Sequence, residues 1–87
     1  MEYMKIYNQQ EFDLLELKDQ VILSSLVGSH LMTSRDSNYR TKLYYLNNFY
    51  IEMWEDIIDC EIMYVRTFKG TRGLTPYLSH INITALY

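Results

Sequence analysis

The Asn47-Asn48 dipeptide is the feature that most constrains the fold of this chain. It separates two runs, residues 41–46 and 49–54, that are rich in aromatic and branched side chains. A two-residue hairpin loop requires positive φ at both central positions, and asparagine tolerates that conformation better than most residues other than glycine. The sequence therefore predicts a β-hairpin whose turn is residues 47–48.

Pairing across this turn assigns the side chains to two faces, because directly opposed residues of a hairpin share a face. The first face carries the pairs Leu46–Phe49, Tyr44–Ile51 and Lys42–Met53. The second face carries the pairs Tyr45–Tyr50, Leu43–Glu52 and Thr41–Trp54. The first face is the more apolar, so we expect it to form the core under an N-terminal helix. A slip of one residue would turn Glu52 into that core, so the hydrophobic pattern resists the slip.

Residues 60–68 are again rich in β-forming side chains and predict the next strand. We expect this strand to contribute to the core through Met63 and Val65. Its second-face residues would be Ile62, Tyr64 and Arg66. The second face is therefore predicted to be aromatic, with one acid and one base at its centre.

The stretch from residue 7 to residue 28 is predicted to be helical. Asn8 can serve as the N-cap, with Glu11 reaching back to it in a capping box. Asp19 is a candidate cap for a second helix, so the segment is either one bent helix or two short ones. Gly28 is a candidate left-handed stop at the end of the helical segment.

The rest of the chain completes a small α+β fold. Residues 29–35 predict a first, short strand, and residues 36–38 predict the turn that follows it. Thr75-Pro76 resembles an N-cap followed by proline at the first helical position, which predicts a short C-terminal helix. One side of that helix would carry Leu74, Leu78 and Ile81. We expect one domain over residues 1–87, with the N-terminal helical segment packed on an antiparallel β-meander of three or four strands.

Three pieces of the second half of the chain resemble a group of small uncharacterised bacterial proteins. The pieces are the hairpin of residues 43–54, Arg66-Thr67-Phe68, and residues 74–78. In that group an LYxLxxFYVEV strand pair is followed by a strand that ends in RxF and by a closing LxPYL turn of helix. The resemblance implies an α+β fold and supplies no function.

Composition excludes several classes of protein. No apolar run approaches the roughly 18 residues of a membrane span, and the N-terminus lacks the pattern of a signal peptide. The single cysteine, Cys60, precludes an intrachain disulfide and favours a reducing compartment, so we expect a cytoplasmic protein without a membrane partner. The net charge of −3 argues against binding to nucleic acid, which needs basic density.

Candidate catalytic and metal-binding residues do not form a convincing pattern. Gly28-Ser29 followed by Asp36 has a faint similarity to nucleotidyltransferases, whose chemistry needs paired carboxylates for magnesium. The places for a second acid hold Asn38 and Arg40. His30, Cys60 and His80 lack the spacing of a zinc site. We therefore expect no catalytic, metal or cofactor site, with His30 as a hydrogen-bonding surface residue and Cys60 as a small apolar residue at a strand start.

Glu52 and Arg66 have three interpretations. A general acid needs a raised pKa, whereas a neighbouring arginine lowers the pKa of a carboxyl group. A cross-strand ion pair on a solvated face contributes little stability. The remaining interpretation is recognition by a charged pair among aromatic anchors.

The nine tyrosines favour this last interpretation, because tyrosine suits half-buried faces and interfaces. We therefore expect a non-enzymatic protein–protein interaction module that uses this face or an edge strand, with a homodimer as one form of the partnership. The partner-binding residues would be Tyr45, Tyr50, Glu52, Trp54, Tyr64 and Arg66. The Lys-, Asn-, Ile- and Tyr-rich composition suggests an inhibitor or accessory protein of a phage or mobile element.

Two other outcomes stay open at this point. One is a degenerate nucleotidyltransferase-like or nucleotide-binding fragment, motivated by Gly28-Ser29 and Asp36. The other is that the C-terminal segment covers the second face through Tyr77 and Leu78 and makes it a second small core.

Overall fold

A computed structural model describes residues 6–77, and the side chains of residues 6–74. Its elements are α1 (Gln9–Asp13), α2 (Leu17–Val27), β1 (Ser29–Arg35), β2 (Tyr39–Leu46), β3 (Phe49–Asp56), β4 (Glu61–Phe68) and a 3-10 helix (Arg72–Tyr77). The strands form one antiparallel meander in the order β1-β2-β3-β4. The predicted α+β fold is confirmed, and the N-terminal segment consists of two short helices. The predictions for Leu78, His80 and Ile81 lie outside the described residues.

The Asn47-Asn48 turn is confirmed, with φ of 41° at Asn47 and 69° at Asn48. Leu46 pairs with Phe49, and the pairing continues without a shift to Tyr39 and Asp56. Asn47 also donates a hydrogen bond of 3.0 Å from Nδ2 to the carbonyl oxygen of Tyr7. The turn therefore fixes the register of the hairpin and ties it to the segment before α1.

The capping box that begins α1 is confirmed by two reciprocal hydrogen bonds. The Glu11 backbone N–H donates to Asn8 Oδ1 at 2.8 Å, and the Asn8 backbone N–H donates to Glu11 Oε1 at 3.1 Å. The cap predicted for the second helix was wrong. That helix begins two residues before Asp19, with Glu16 at its N-cap, and Asp19 lies in its first turn.

The left-handed conformation predicted for Gly28 was wrong. Gly28 is extended, with φ of −76° and ψ of 151°, and the chain passes directly from α2 into β1. A Cβ at this position would lie 2.6 Å from the carbonyl oxygen of Ser24 and 3.4 Å from the Cβ of Tyr44. Glycine is therefore needed here for a close approach of the backbone, and not for a left-handed turn.

The core lies between the helices and the first face of the sheet, as predicted. Seven buried residues form it: Tyr7, Phe12, Leu23, Tyr44, Phe49, Ile51 and Met53. The Phe12 and Phe49 rings meet at 5.6 Å between centroids. Burial of each large apolar side chain contributes roughly 1.5–3 kcal/mol of transfer free energy, so this cluster is the main stabilising element.

A bulge in β4 overturns two predictions about that strand. Trp54 pairs with Tyr64 but Glu55 pairs with Ile62, so Met63 is the extra residue of the bulge. Met63, predicted to be core, is 47% exposed. Ile62, predicted to lie on the second face, packs against the core. Val65 pairs with Met53 and packs on the core as predicted.

The 3-10 helix after β4 begins earlier in the chain than the predicted C-terminal helix. It begins at Arg72, so Thr75-Pro76 lies within it and does not begin it. The Leu74 backbone N–H donates to the carbonyl oxygen of Thr71 at 3.0 Å. The Leu74 side chain is buried against Leu43 on the second face of the sheet.

Candidate interaction surface

The second face carries two groups of aromatic rings separated by a charged pair. At one end the rings of Tyr45, Tyr50 and Phe68 are in contact, with centroids 5.2 Å apart for Tyr45–Tyr50 and 5.1 Å apart for Tyr50–Phe68. At the other end Tyr39, Trp54 and Tyr64 are in contact, at 6.2 Å for Tyr39–Trp54 and 5.5 Å for Trp54–Tyr64. Glu52 and Arg66 pair across β3 and β4 between the two groups.

One half of this face is covered by the 3-10 helix. We call it the covered half, and it consists of Met32, Leu43, Tyr50, Phe68 and Leu74, which form a second apolar cluster. Gly73 permits the close approach, because a Cβ there would lie 2.1–2.7 Å from atoms of the Phe68 ring. Leu74 therefore covers this half, whereas cover through Tyr77 and Leu78 stays a prediction. The Tyr77 side chain and Leu78 lie outside the described side chains.

The Glu52 carboxylate at the centre of the face is buried, with only 3% of the residue exposed. Its Oε1 accepts a hydrogen bond of 2.6 Å from Trp54 Nε1 and one of 3.1 Å from Arg66 Nε. Arg66 Nη2 lies at 3.1 Å from the same oxygen. Burial of a carboxylate is costly unless charged and hydrogen-bonding partners compensate, and here both are present. The expected ion pair is thus observed, but on a buried acid and not on a solvated one.

The other half of the face is not covered by any of the described residues, so we call it the open half and define it by Tyr39, Trp54, Tyr64 and Arg66. Trp54 and Tyr64 stack with an interplanar angle of 18°, and Tyr64 remains 45% exposed. The Arg66 side chain is 54% exposed, and its guanidinium lies 5.5 Å from the centroid of the Phe68 ring. An exposed arginine beside a stacked tryptophan–tyrosine pair is typical of the residues that dominate binding energy in protein interfaces.

All six residues predicted to contact a partner lie on the second face, but they differ in access to solvent. Tyr45, Tyr64 and Arg66 are exposed, Tyr50 and Trp54 are half-buried, and Glu52 is buried. Glu52 therefore acts within the fold by holding Arg66 and Trp54.

Sequence reasoning missed two members of the aromatic groups. Tyr39 was missed because β2 begins two residues earlier than predicted. Phe68 follows Tyr64 and Arg66 in strand alternation, so that pattern could have identified it.

The remaining candidate residues have local structural roles. His30 Nε2 lies 2.8 Å from Thr33 Oγ1, in agreement with the predicted surface role. Asp36 Oδ1 accepts a hydrogen bond of 2.8 Å from the Ser37 backbone N–H within the β1–β2 turn. Cys60 precedes β4 in a turn, with φ of 58°, and is exposed, so the expected apolar position at a strand start was wrong. Within residues 6–77, no group of three or more His, Cys, Asp and Glu side chains is arranged to hold a metal ion.

Comparison of the chain with protein-family models, with curated proteins and with solved structures finds no match in any of the three. In the part of the chain that the structure describes, neither helix has the length and apolar character needed to cross a membrane.

Proposed function

We propose that this chain is a non-enzymatic interaction module that binds another protein through the open half of its second face. The observation that supports this most directly is the exposed Arg66 beside the stacked Trp54–Tyr64 pair. Interface energy concentrates in tryptophan, tyrosine and arginine, and all three occur here on adjacent strands. The rigid sheet holds them in place, so little conformational entropy is lost on binding.

The edge strands are less suited to binding than the face. The outer strands of the sheet are β1 and β4, and each contains a bulge. The extra residues of the two bulges are Leu31 and Met63. A bulge disrupts the regular row of backbone groups that an added strand would need. These irregularities favour the face over strand addition as the binding mode.

The proposal includes a cytoplasmic location and a role as an inhibitor or accessory protein of a phage or mobile element. An exposed free thiol at Cys60 fits a reducing compartment. The half-buried aromatic face fits a protein partner better than nucleic acid, because single-strand binders interleave aromatic residues with a basic groove. Of the four residues that define the open half, only Arg66 is cationic.

An affinity capture with matched variants tests the proposal. Tagged wild-type protein, Tyr64→Ala and Ile58→Ala would each be incubated with lysate from cells that naturally make the protein. Ile58 is 79% exposed in the β3–β4 turn, so it controls for loss of an exposed apolar side chain elsewhere. We expect a protein that the wild type and Ile58→Ala retain and that Tyr64→Ala loses. Equal recovery with all three proteins, each folded by circular dichroism, would contradict the proposal.

A further inference from the structure

The Arg66 guanidinium is held in one orientation, and among the described residues one of its edges keeps no contact. Nε and Nη2 both engage Glu52 Oε1, at 3.1 Å each, and the Phe68 ring lies beside the guanidinium carbon at 5.5 Å. This arrangement leaves Nη1, with its two N–H groups, away from the contacts with Glu52. An arginine fixed in this way loses little side-chain entropy when it binds a second carboxylate.

The charge presented where the open half meets the covered half is positive. Glu52 is buried beneath Arg66, whereas the Arg66 side chain is 54% exposed. Arginine forms charge-assisted hydrogen bonds with carboxylates, and these bonds are stronger than neutral ones. A partner group at this position is therefore expected to be an anion and not a cation.

Tyr64 of the stacked pair is the nearest residue to Arg66 on the same face of β4. Tyr64 and Arg66 are two residues apart and share the second face, which places them about 6.6–6.8 Å apart along the strand. An extended partner segment presents its residues i and i+2 at the same spacing on one side. A carboxylate over Arg66 then places an apolar side chain of the partner over the Trp54–Tyr64 pair.

The end of the face beyond this pair is acidic. Asp56 pairs with Glu61 at the end of β3, one step past Trp54 on the same face. A third alternate residue of the partner would therefore meet negative charge and is expected to be basic. The order of charges along the open half, positive, aromatic and then negative, is complementary to acidic, apolar and basic side chains at i, i+2 and i+4.

We infer that the open half recognises an extended segment of a partner protein in which an acidic, an apolar and a basic side chain alternate at i, i+2 and i+4. Arg66 would receive the carboxylate and the Trp54–Tyr64 pair the apolar side chain. This inference rests on the proposed function, and it adds the chemistry that the partner must present.

Peptide binding to the full chain tests the inference. The probe is acetyl-Glu-Thr-Phe-Thr-Lys-amide, and its matched control carries Gln in place of Glu. Trp54, the only tryptophan, lies in the site and reports binding by its fluorescence. We expect the Gln peptide to bind roughly tenfold more weakly than the Glu peptide to the wild type at low salt, and the difference to decrease with salt. A second control with Gln in place of Lys is expected to weaken binding less, because Asp56 Oδ1 already accepts hydrogen bonds from the backbone N–H groups of Ile58 and Asp59.

Protein variants assign the effect to Arg66. Arg66→Gln should bind the Glu and Gln peptides equally. Because that variant leaves Glu52 buried without its cation, the double variant Glu52→Gln/Arg66→Gln provides a neutral pair and should also bind the two peptides equally. Equal binding of both peptides to the wild type, or no binding at millimolar peptide, would overturn the inference. The proposed function would still stand in either case if the Tyr64→Ala variant lost its captured protein, so the two failures are distinguishable.

Discussion

Trp54 Nε1 donates a 2.6 Å hydrogen bond to Oε1 of Glu52, the residue two positions before it on the same face of β3. The bond joins a half-buried aromatic ring to a buried carboxylate, and the same oxygen receives Arg66. The buried Glu52 carboxylate therefore stabilises the fold and also holds Trp54 and Arg66 of the open half in position.

Removal of this donor should destabilise the protein. Trp54→Phe keeps an aromatic ring but loses the N–H group, and hydrogen bonds to charged groups contribute about 1.5–3 kcal/mol. We expect a loss of that size in the free energy of unfolding, measured by chemical denaturation. Tyr64→Phe is the control, because it keeps the ring that stacks on Trp54, and it should change stability by less than about 0.5 kcal/mol. Equal effects of the two variants would contradict a structural role for the indole N–H.

The Glu52–Arg66 pair should be more strongly coupled than an ordinary surface pair. A double-mutant cycle with Glu52→Gln and Arg66→Ala should give a coupling free energy of about 1–3 kcal/mol, because Oε1 accepts hydrogen bonds from both Arg66 and Trp54. The control is the Arg40–Glu55 ion pair, also 3.1 Å long, whose geometry does not make a hydrogen bond.

That control pair joins two side chains that are 37% and 17% exposed, and it should give less than about 1 kcal/mol. A coupling at Arg40–Glu55 as large as that at Glu52–Arg66 would show that the hydrogen bonds to Glu52 do not strengthen its pair.

Asn48→Gly should stabilise the protein by up to about 1 kcal/mol. Asn48 has φ of 69°, which glycine adopts without the steric cost that other residues incur. Asn48→Val should cost about 1–2 kcal/mol, because a branched side chain resists this conformation. Asn47→Gly is the matched control in the same turn, and it should give no gain because it removes the hydrogen bond to Tyr7. Denaturation midpoints of the three variants decide the matter, and equal midpoints would contradict the observed turn.

Gly73→Ala should destabilise the covered half of the face. The new Cβ would overlap the Phe68 ring, which is itself stacked on Tyr50, so we expect a loss of about 1–3 kcal/mol. Gly70→Ala is the control. Gly70 has φ of +78°, but a Cβ added there would meet no atom of the described residues within 4 Å, so that variant bears only backbone strain of about 1 kcal/mol. A larger loss in thermal stability for Gly70→Ala than for Gly73→Ala would argue against the packing of the 3-10 helix on Phe68.

Local rules were enough to predict the hairpin and its faces. The two asparagines determine the turn, and alternation from the turn places every residue from Tyr39 to Asp56 on a face. The same rule failed at Ile62 and Met63, because a bulge inserts one residue and reverses the alternation beyond it. Nothing in the residue pattern of β4 marks that position.

The burial of Glu52 could not be predicted, because it depends on residues distant in sequence. Alternation assigned Glu52 to the second face correctly, but its exposure is set by Arg66 and Trp54 above it and by the packing of Leu74 on the neighbouring Leu43. The prediction of a left-handed Gly28 failed for a related reason. Its constraint comes from contact with Ser24 and Tyr44, and not from its own φ.

Site-specific photo-crosslinking in cells that naturally make the protein tests most directly whether the open half binds another protein. A benzophenone amino acid would replace Tyr64 in one variant and Ile58 in the other, two exposed positions of which only the first lies on the open half. We predict a discrete covalent adduct with one protein from position 64 and none from position 58, and Arg66→Ala in the same chain should reduce its yield. An adduct of twice the chain mass would identify a second copy as that protein. No adduct from position 64, or equal adducts from both positions, would contradict the assignment of the open half as the binding surface.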